Sequence, residues 1–437
     1  MKKSLLVLLV VVFSACNFSC GGSSTVLLDR VVVSQGVTTS TSFGALIIVN
    51  GFDDTVPRVA PLSAGTSPGM MARSPSWNLL AAFDSASNTV FAFNTATEKA
   101  VGQVHLPCPT TVTEPCLGPN SSFILPTSEP TGYAAIPSAT VNGFTFVGGV
   151  AEMSFAANSV AVTIAVPAAQ TVVANSSGTQ LLVFSNDSNS VTVLSPGNAL
   201  PPVDQSCLSA TPNAVCTIVT GFDRPVYAVV NGNTAYVLNC GPQCGGTQAS
   251  IAFLDLPTLT ITKTVPVEAA TWALLNGSTL YVVGTPPTNN ACTGETTAAT
   301  TCGRLDIVDI GSGTVTTSGI VITDGYHDRM DLNQIGQLFI GSRNCTNIGD
   351  VNAPSGEVRG CLSIYNLGTG GVYIPPDNGN VDGLQGFITR PIEYVAEGGN
   401  ARVYYVLTDQ LFLDYINPNG TLPIVGYVGD VKSLDVF

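Results

Sequence analysis

The sequence is poor in charge, and above all in positive charge. Asp, Glu, Lys and Arg make up only 10% of the 437 residues, and 15 Lys and Arg stand against 29 Asp and Glu, giving a formal charge of −14. Nucleic acids and acidic lipid surfaces are bound by clustered cations, so a chain this acidic is expected to repel them. The composition therefore predicts no nucleic-acid partner, and solubility is the simplest explanation of the acidic balance.

Histidine is nearly absent, since the chain contains only His105 and His327. A structural zinc site needs several closely spaced Cys or His ligands, and neither histidine has such neighbours. No catalytic motif with an identifiable nucleophile stands out either. The sequence therefore predicts no metal, no cofactor and no assigned catalytic residue.

A long stretch of helical period is missing after the first twenty residues. Instead, 44 Gly and 28 Pro punctuate many short apolar runs. Residues 78–95 (NLLAAFDSASNTVFAFNT) show the recurring pattern, in which two apolar runs rich in β-branched or aromatic residues flank a polar turn. Such a pattern is typical of β-hairpins and predicts an all-β protein.

The N-terminus has the features of an export signal. Lys2 and Lys3 precede an apolar run, residues 5–13, that is too short to span a bilayer. Residues 12–16 (VFSAC) resemble a bacterial lipoprotein lipobox, which implies acylation of Cys16, with Cys20 as the alternative. Residues 1–15 are then a signal peptide and residues 16–42 a palmitate-bearing anchor and flexible tether. An outer-membrane or periplasm-facing lipoprotein is expected, or a secreted protein if neither cysteine is acylated.

Ten further cysteines occur as near neighbours in loops between apolar runs. An even number of cysteines in an exported chain indicates disulfides, each contributing roughly 2–4 kcal/mol by closing a short loop. The expected pairs are Cys108 with Cys116, Cys207 with Cys216, Cys240 with Cys244, Cys292 with Cys302, and Cys345 with Cys361.

The hairpins repeat along the chain at a spacing of roughly 40–50 residues, which with four short strands per unit predicts a β-propeller. Seven complete four-stranded blades are expected in a single domain, residues 43–437, or eight if the two ends form a composite blade with residues 431–436. Second strands are predicted at residues 46–49, 79–83, 133–136, 181–184, 235–238, 280–283, 338–340 and 403–406. Third strands are predicted at residues 90–93, 191–194, 251–254, 305–308, 362–365 and 411–415.

Several of these runs resemble the second strand of YVTN-repeat propellers. The segments are residues 47–50 (IIVN), 236–239 (YVLN), 281–284 (YVVG) and the longer frame 181–193 (LLVFSNDSNSVTV). The resemblance is to the bacterial YncE-like and lactonase-like proteins, and it extends from about residue 45 to the C-terminus. It implies the propeller fold and leaves the function open, because the repeats are structural.

Antiparallel strand order places four of the five predicted disulfides on one face of the ring, where long loops favour binding. The same face should carry Arg224, His327, Asp328, Arg329 and Arg390 near the channel mouth. The arginines and His327 either converge as an anion site or pair locally with neighbouring aspartates and carbonyls. The predicted function is a binding or scaffolding module for a protein, peptide or glycan. The alternative is a lactonase-like hydrolase with His327 at the channel.

Overall fold

The computed structural model shows a chain that is almost entirely β-strand where it is described. In these parts the exceptions are two 3-10 turns, η1 (Pro196–Asn198) and η2 (Gly241–Cys244), and no helix is long and apolar enough to cross a bilayer. The described residues are 30–35, 44–50, 61–109, 115–118, 120–141, 144–146, 148–198, 207, 215–288, 290–292, 301–332, 336–346, 359–374, 392–395, 401–407, 410–415, 427–428 and 431–436.

The strands follow the chain as successive hairpins. They begin with β1 (Arg30–Gln35) and β2 (Ala45–Asn50). Blade 1 contains β3 (Pro68–Arg73), β4 (Leu79–Asp84), β5 (Thr89–Asn94) and β6 (Lys99–His105). Blade 2 contains β7 (Phe123–Ile124), β8 (Thr131–Ile136), an inserted hairpin β9 (Ala139–Val141) and β10 (Phe144–Phe146), β11 (Gly149–Ser154) and β12 (Ser159–Ala165). Blade 3 contains β13 (Ala169–Ala174), β14 (Leu181–Ser185), β15 (Ser190–Leu194) and β16 (Cys216–Thr220).

The remaining blades repeat the arrangement. Blade 4 contains β17 (Pro225–Asn231), β18 (Thr234–Asn239), β19 (Ser250–Asp255) and β20 (Thr260–Pro266). Blade 5 contains β21 (Trp272–Asn276), β22 (Thr279–Gly284), β23 (Gly303–Asp309) and β24 (Thr314–Ile322). Blade 6 contains β25 (Tyr326–Leu332), β26 (Gln337–Cys345), β27 (Arg359–Asn366) and β28 (Val372–Tyr373). Blade 7 contains β29 (Ile392–Val395), β30 (Ala401–Leu407), β31 (Gln410–Tyr415) and β32 (Tyr427–Val428), and the last strand is β33 (Val431–Val436).

Each of these blades is a four-stranded antiparallel sheet, so the described strands confirm the predicted propeller with seven four-stranded blades. The predicted second and third strands fall within the observed ones. Around the ring the first strand of each blade contacts the next, in the order β3, β7, β13, β17, β21, β25 and β29. These innermost strands, called a-strands here, surround a central channel, with strands b, c and d following outward.

The two ends of the chain close the ring through an eighth sheet. Its order is β2–β1–β33, and β33 contacts the a-strands β3 and β29 on either side. The eighth sheet thus takes the position of the composite blade that the sequence left as the alternative. It also shows that the predicted tether, residues 16–42, includes a propeller strand, because Val31, Val32 and Val33 of β1 are fully buried.

The b-strands form because they are apolar on both faces. All six residues of β4 are buried, since each blade packs against a neighbour on both sides. Burial of both faces favours a continuous apolar run over strict alternation. The apolar core therefore lies between the blades, and the channel is lined mainly by the a-strands.

Polar residues fix the turns between strands c and d. Asn94, Asp255, Asp309 and Asn366 each accept a hydrogen bond from the backbone N–H three residues later, at 2.6–3.1 Å. A short side chain that bonds its own backbone in this way stabilises a turn. The side of the ring that carries these four turns is called the turn face below.

Four a-strands contain a β-bulge near their start. The pairing shifts between Pro68 and Met71 in β3, between Ala169 and Thr171 in β13, between Pro225 and Tyr227 in β17, and between His327 and Arg329 in β25. A bulge inserts an extra residue and changes the direction of the side chains around it. Consecutive residues such as Asp328 and Arg329 can therefore both line the channel.

Candidate functional site

All five predicted disulfides form between the described cysteines. Cys207–Cys216 lies between strands c and d of blade 3. The other four, on the opposite side of the ring, define the stapled face: Cys108–Cys116, Cys240–Cys244, Cys292–Cys302 and Cys345–Cys361. The predicted clustering of long loops on one face is therefore present.

Asp223 fixes the Cys240–Cys244 loop from the connection that precedes blade 4. Its Oδ2 accepts hydrogen bonds from the Thr247 N–H (2.8 Å), the Thr247 hydroxyl (2.6 Å) and the Gln248 N–H (2.7 Å). Burial alone raises the pKa of Asp223, but these hydrogen bonds and the Arg224 charge outweigh it and hold the pKa below its usual value. Gly246 lies so close to the carboxylate that a Cβ would not fit.

Asp324 has the corresponding role before blade 6. Its carboxylate accepts the Thr346 N–H at 2.6 Å and the Thr346 hydroxyl at 2.5 Å, and the Thr301 hydroxyl at 2.6 Å. Thr301 precedes Cys302 and Thr346 follows Cys345, so one buried carboxylate links the stapled loops of two neighbouring blades. These contacts tie together the described parts of the two loops at the rim of the channel.

The central channel is a cavity of about 650 Å³, within the size range of small-molecule sites. A smaller pocket of about 180 Å³ opens at the rim of the stapled face and shares Asn120, Thr171, Val226 and Tyr326 with the channel. Among the described residues that line the channel, the charged ones are Arg73, Asp328, Arg329 and Arg343. The described part of the channel wall is thus net positive in a strongly acidic protein.

Arg329 lies against the ring of Trp272 near the stapled face. Tyr227 and Trp272 stack with centroids 3.9 Å apart and planes at 17°, and the Arg329 guanidinium lies 5.5 Å from the Trp272 centroid. One guanidinium nitrogen donates to the Asp328 carbonyl at 2.6 Å. No described carboxylate lies within ion-pair distance of Arg329. A cation–π contact orients this charge without neutralising it.

Arg343 reaches the channel from the end of a b-strand. Its Nε lies 3.0 Å from Asp328 Oδ2, its guanidinium is 4.8 Å from the Tyr326 ring centroid, and it also donates to Asn120 Oδ1. Burial raises the pKa of Asp328, although Arg329 and Arg343 oppose the shift, and burial raises the pKa of Tyr326 to about 12. Asp328 Oδ1 is buried without a hydrogen-bond partner among the described residues.

His327 does not reach the channel. Its side chain is completely buried, and Nε2 lies 2.9 Å from the Thr323 carbonyl, so Nε2 carries the proton of a neutral ring. Nδ1 has no partner in the described structure. Burial lowers the pKa of His327 to about 4, and the contact with Thr323 and the Asp324 charge only partly oppose this. A buried neutral imidazole is not placed to serve as a general base for a substrate in the channel.

The predicted convergence of Arg224, His327, Arg329 and Arg390 does not form among the described residues. Arg224 lines the smaller pocket at the rim and pairs with Asp187 at 3.5 Å. Arg329 lines the channel, whereas the side chain of His327, two residues earlier, is completely buried. Arg390, Cys16 and Cys20 lie outside the described residues. Arg224 therefore pairs locally, as the second interpretation of the sequence predicted. Of the predicted site residues that the structure describes, Asp328 and Arg329 line the channel.

Five residues of the channel and its rim were not predicted from the sequence: Arg343, Asn120, Tyr227, Trp272 and Tyr326. Arg343 follows the predicted b-strand at residues 338–340, and b-strands end on the stapled face, where a-strands begin. A cation at the end of a b-strand is therefore as good a candidate for the channel mouth as one at the start of an a-strand. Asn120 gave no comparable signal, because it lies in an irregular connection before β7.

No family model matches the sequence, and no curated protein matches it. Solved structures of β-propeller proteins resemble the fold. The dihydro-heme d1 dehydrogenase NirN in complex with DHE gives a TM-score of 0.56 at 11% identity, over 94% of this chain and 75% of that one. BamB from Moraxella catarrhalis gives a TM-score of 0.46 at 11% identity, over 87% of this chain and 94% of that one. The periplasmic gluconolactonase PpgL from Pseudomonas aeruginosa gives a TM-score of 0.47 at 13% identity, over 93% of this chain and 98% of that one. At identities this low, the similarity shows the fold alone.

Proposed function

We propose that the protein is an exported, lipid-anchored binding module of the bacterial cell envelope that meets a protein, peptide or glycan on its stapled face. The supporting observation is the set of disulfides and hydrogen bonds that tie down the described parts of its loops around the channel mouth. Four disulfides and the carboxylates of Asp223 and Asp324 fix its loops. Preorganised loops lose less conformational entropy on binding, which favours affinity.

Export is supported by the disulfides. Five disulfides are typical of proteins that fold in an oxidising compartment. The lipobox-like residues before Cys16 supply the proposed anchor, and two acyl signals suffice for stable membrane attachment. The YVTN-like runs are consistent with an envelope propeller.

The partner should contact the face through hydrogen bonds. Exposed side chains around the smaller pocket are polar, among them Asn186, Asp187 and Asn189. The exposed large hydrophobic residues of the described chain lie elsewhere: Trp77 is in a loop on the turn face and Tyr373 is on the outermost strand of blade 6. A polar face suits a glycan or the polar side of a peptide.

The hydrolase alternative lacks support from the described site. His327, the base that it requires, is buried and neutral. A general base must come within hydrogen-bond reach of the proton that it removes. Binding without catalysis is therefore the function we propose.

Site-specific photo-crosslinking in envelope preparations of the native host tests the proposal. A benzophenone amino acid replaces exposed Asn186 on the stapled face or, as the control, exposed Ala96 in a turn on the opposite face. We expect one crosslinked species of defined mass from position 186 and none from position 96. Equal crosslinking at both positions, or none at position 186, would contradict a partner on this face.

A further inference from the structure

The described wall of the central channel has the opposite charge balance to the chain as a whole. Arg73, Arg329 and Arg343 stand against Asp328 in the described wall, whereas the whole chain has 15 cations and 29 carboxylates. Charged residues that line a low-dielectric cavity focus the local potential and concentrate ligands of the opposite sign. The described part of the channel wall therefore attracts anions, which the acidic outer surface repels.

We propose that this channel binds a carboxylate of the fatty-acid type, with its head at Arg329 and its apolar body along the channel. The proposal does not depend on the partner of the stapled face. Arg329 is oriented by Trp272 and lacks an ion-paired carboxylate among the described residues. A guanidinium held in this way donates to a carboxylate in a planar fork.

The wall below Arg329 suits an apolar body. Met70, Met71 and Met330 line the channel, together with apolar side chains that include Ile124 and Val173. These are three of the five methionines in the chain. Methionine is unbranched and adaptable, so several methionines in one cavity accommodate a flexible apolar ligand. The far end, at the turn face, is lined by Arg73.

Asp328 explains why Arg343 is not the primary contact. Its carboxylate already pairs with Arg343 at 3.0 Å, and its Oδ1 is a buried acceptor without a described partner. An incoming carboxylate is repelled by an ionised Asp328 and attracted by both arginines. Neutralising Asp328 should therefore strengthen binding, whereas neutralising Arg329 should weaken it.

Octanoate is the test ligand, and Trp272 is the reporter. The chain has only two tryptophans, so Trp77→Phe leaves Trp272 beside Arg329 as the single emitter. Octanoate does not absorb where tryptophan does, and calorimetry gives an independent affinity. Octanamide has the body without the charge, and acetate has the charge without the body. We expect saturable changes with octanoate and an affinity at least about tenfold higher than for either control.

Two substitutions on neighbouring residues give opposite expectations. Arg329→Gln should weaken octanoate binding about tenfold, Arg329→Lys should recover only part of the affinity because it keeps the charge but not the planar fork, and Asp328→Asn should strengthen binding several-fold. Arg224→Gln at the rim serves as the matched arginine control and should leave the affinity within about twofold. A general loss of structure cannot produce effects of opposite sign, and unfolding midpoints check each variant.

The result that supports the proposal is preference for octanoate over both controls, together with the opposite effects at positions 329 and 328. Equal binding of octanoate and octanamide would overturn it, as would the absence of a saturable signal up to about 10 mM. A shift in the same direction for Arg329→Gln and Asp328→Asn would also overturn it. None of these results bears on crosslinking at the stapled face.

Discussion

The buried His327 should make the stability of the protein depend on pH below neutrality. Its pKa falls from 6.5 to about 4 because the charged ring would lose its hydration inside the blade. The unfolded chain therefore takes up a proton at a higher pH than the folded chain does. The stabilisation is fully present above pH 6.5 and is lost as the pH falls from 6.5 towards 4.

The magnitude follows from the two pKa values. The full difference between the folded and unfolded pKa of His327 corresponds to about 3 kcal/mol of folding stability. About 2 kcal/mol of this stability should be lost as the pH falls from 7.5 to 5. Other groups titrate in the same range, so the measured quantity is the difference between wild type and His327→Gln. Glutamine retains a donor for the Thr323 carbonyl and removes the titrating ring.

Urea unfolding followed by circular dichroism at several pH values between 5 and 7.5 measures this difference. We expect His327→Gln to be less stable than wild type at pH 7.5, with the gap narrowing by about 2 kcal/mol at pH 5. His105→Gln is the control, because it removes the only other histidine of the chain, whose side chain is exposed. Parallel profiles for wild type and His327→Gln would refute the burial argument.

Three further predictions concern the loops, the ring closure and the anchor. Asp324→Ala removes the hydrogen-bond acceptor of Thr301 and Thr346 and should lower the free energy of unfolding in urea by about 2–3 kcal/mol. Asp187→Ala is the control, because the Asp187 side chain is 90% exposed and its loss should leave the free energy of unfolding nearly unchanged. Deleting residues 431–437 removes β33 and should abolish the cooperative thermal transition, which an intact transition would contradict. Cys16→Ser should abolish incorporation of an alkyne-labelled fatty acid in the native host, and Cys20→Ser should not; the reverse would assign the anchor to Cys20.

The propeller could be predicted because its signal is repeated and local. The b-strands whose burial the structure describes are buried on both faces, so their apolar runs stand out from the polar turns that flank them. The disulfide pairs could be predicted for the same reason, since the two partners are near neighbours in one loop. The strand β1 was harder to recognise, because a single apolar run, residues 30–33, lies within a polar segment.

The site could be predicted only in part, because it depends on long-range geometry. His327 and Arg329 are two residues apart and would point to the same side of a regular strand. The bulge in β25 separates them, so that Asp328 and Arg329 line the channel while His327 is buried. Arg343 and Asn120, which are 223 residues apart, meet only when the ring closes.

A crystal structure of the mature protein grown with octanoate tests the central claim most directly. We expect the carboxylate in the channel, about 3 Å from the Arg329 guanidinium, with the alkyl chain against Met330. Octanoate bound only outside the channel, or an empty channel at a saturating concentration, would contradict it.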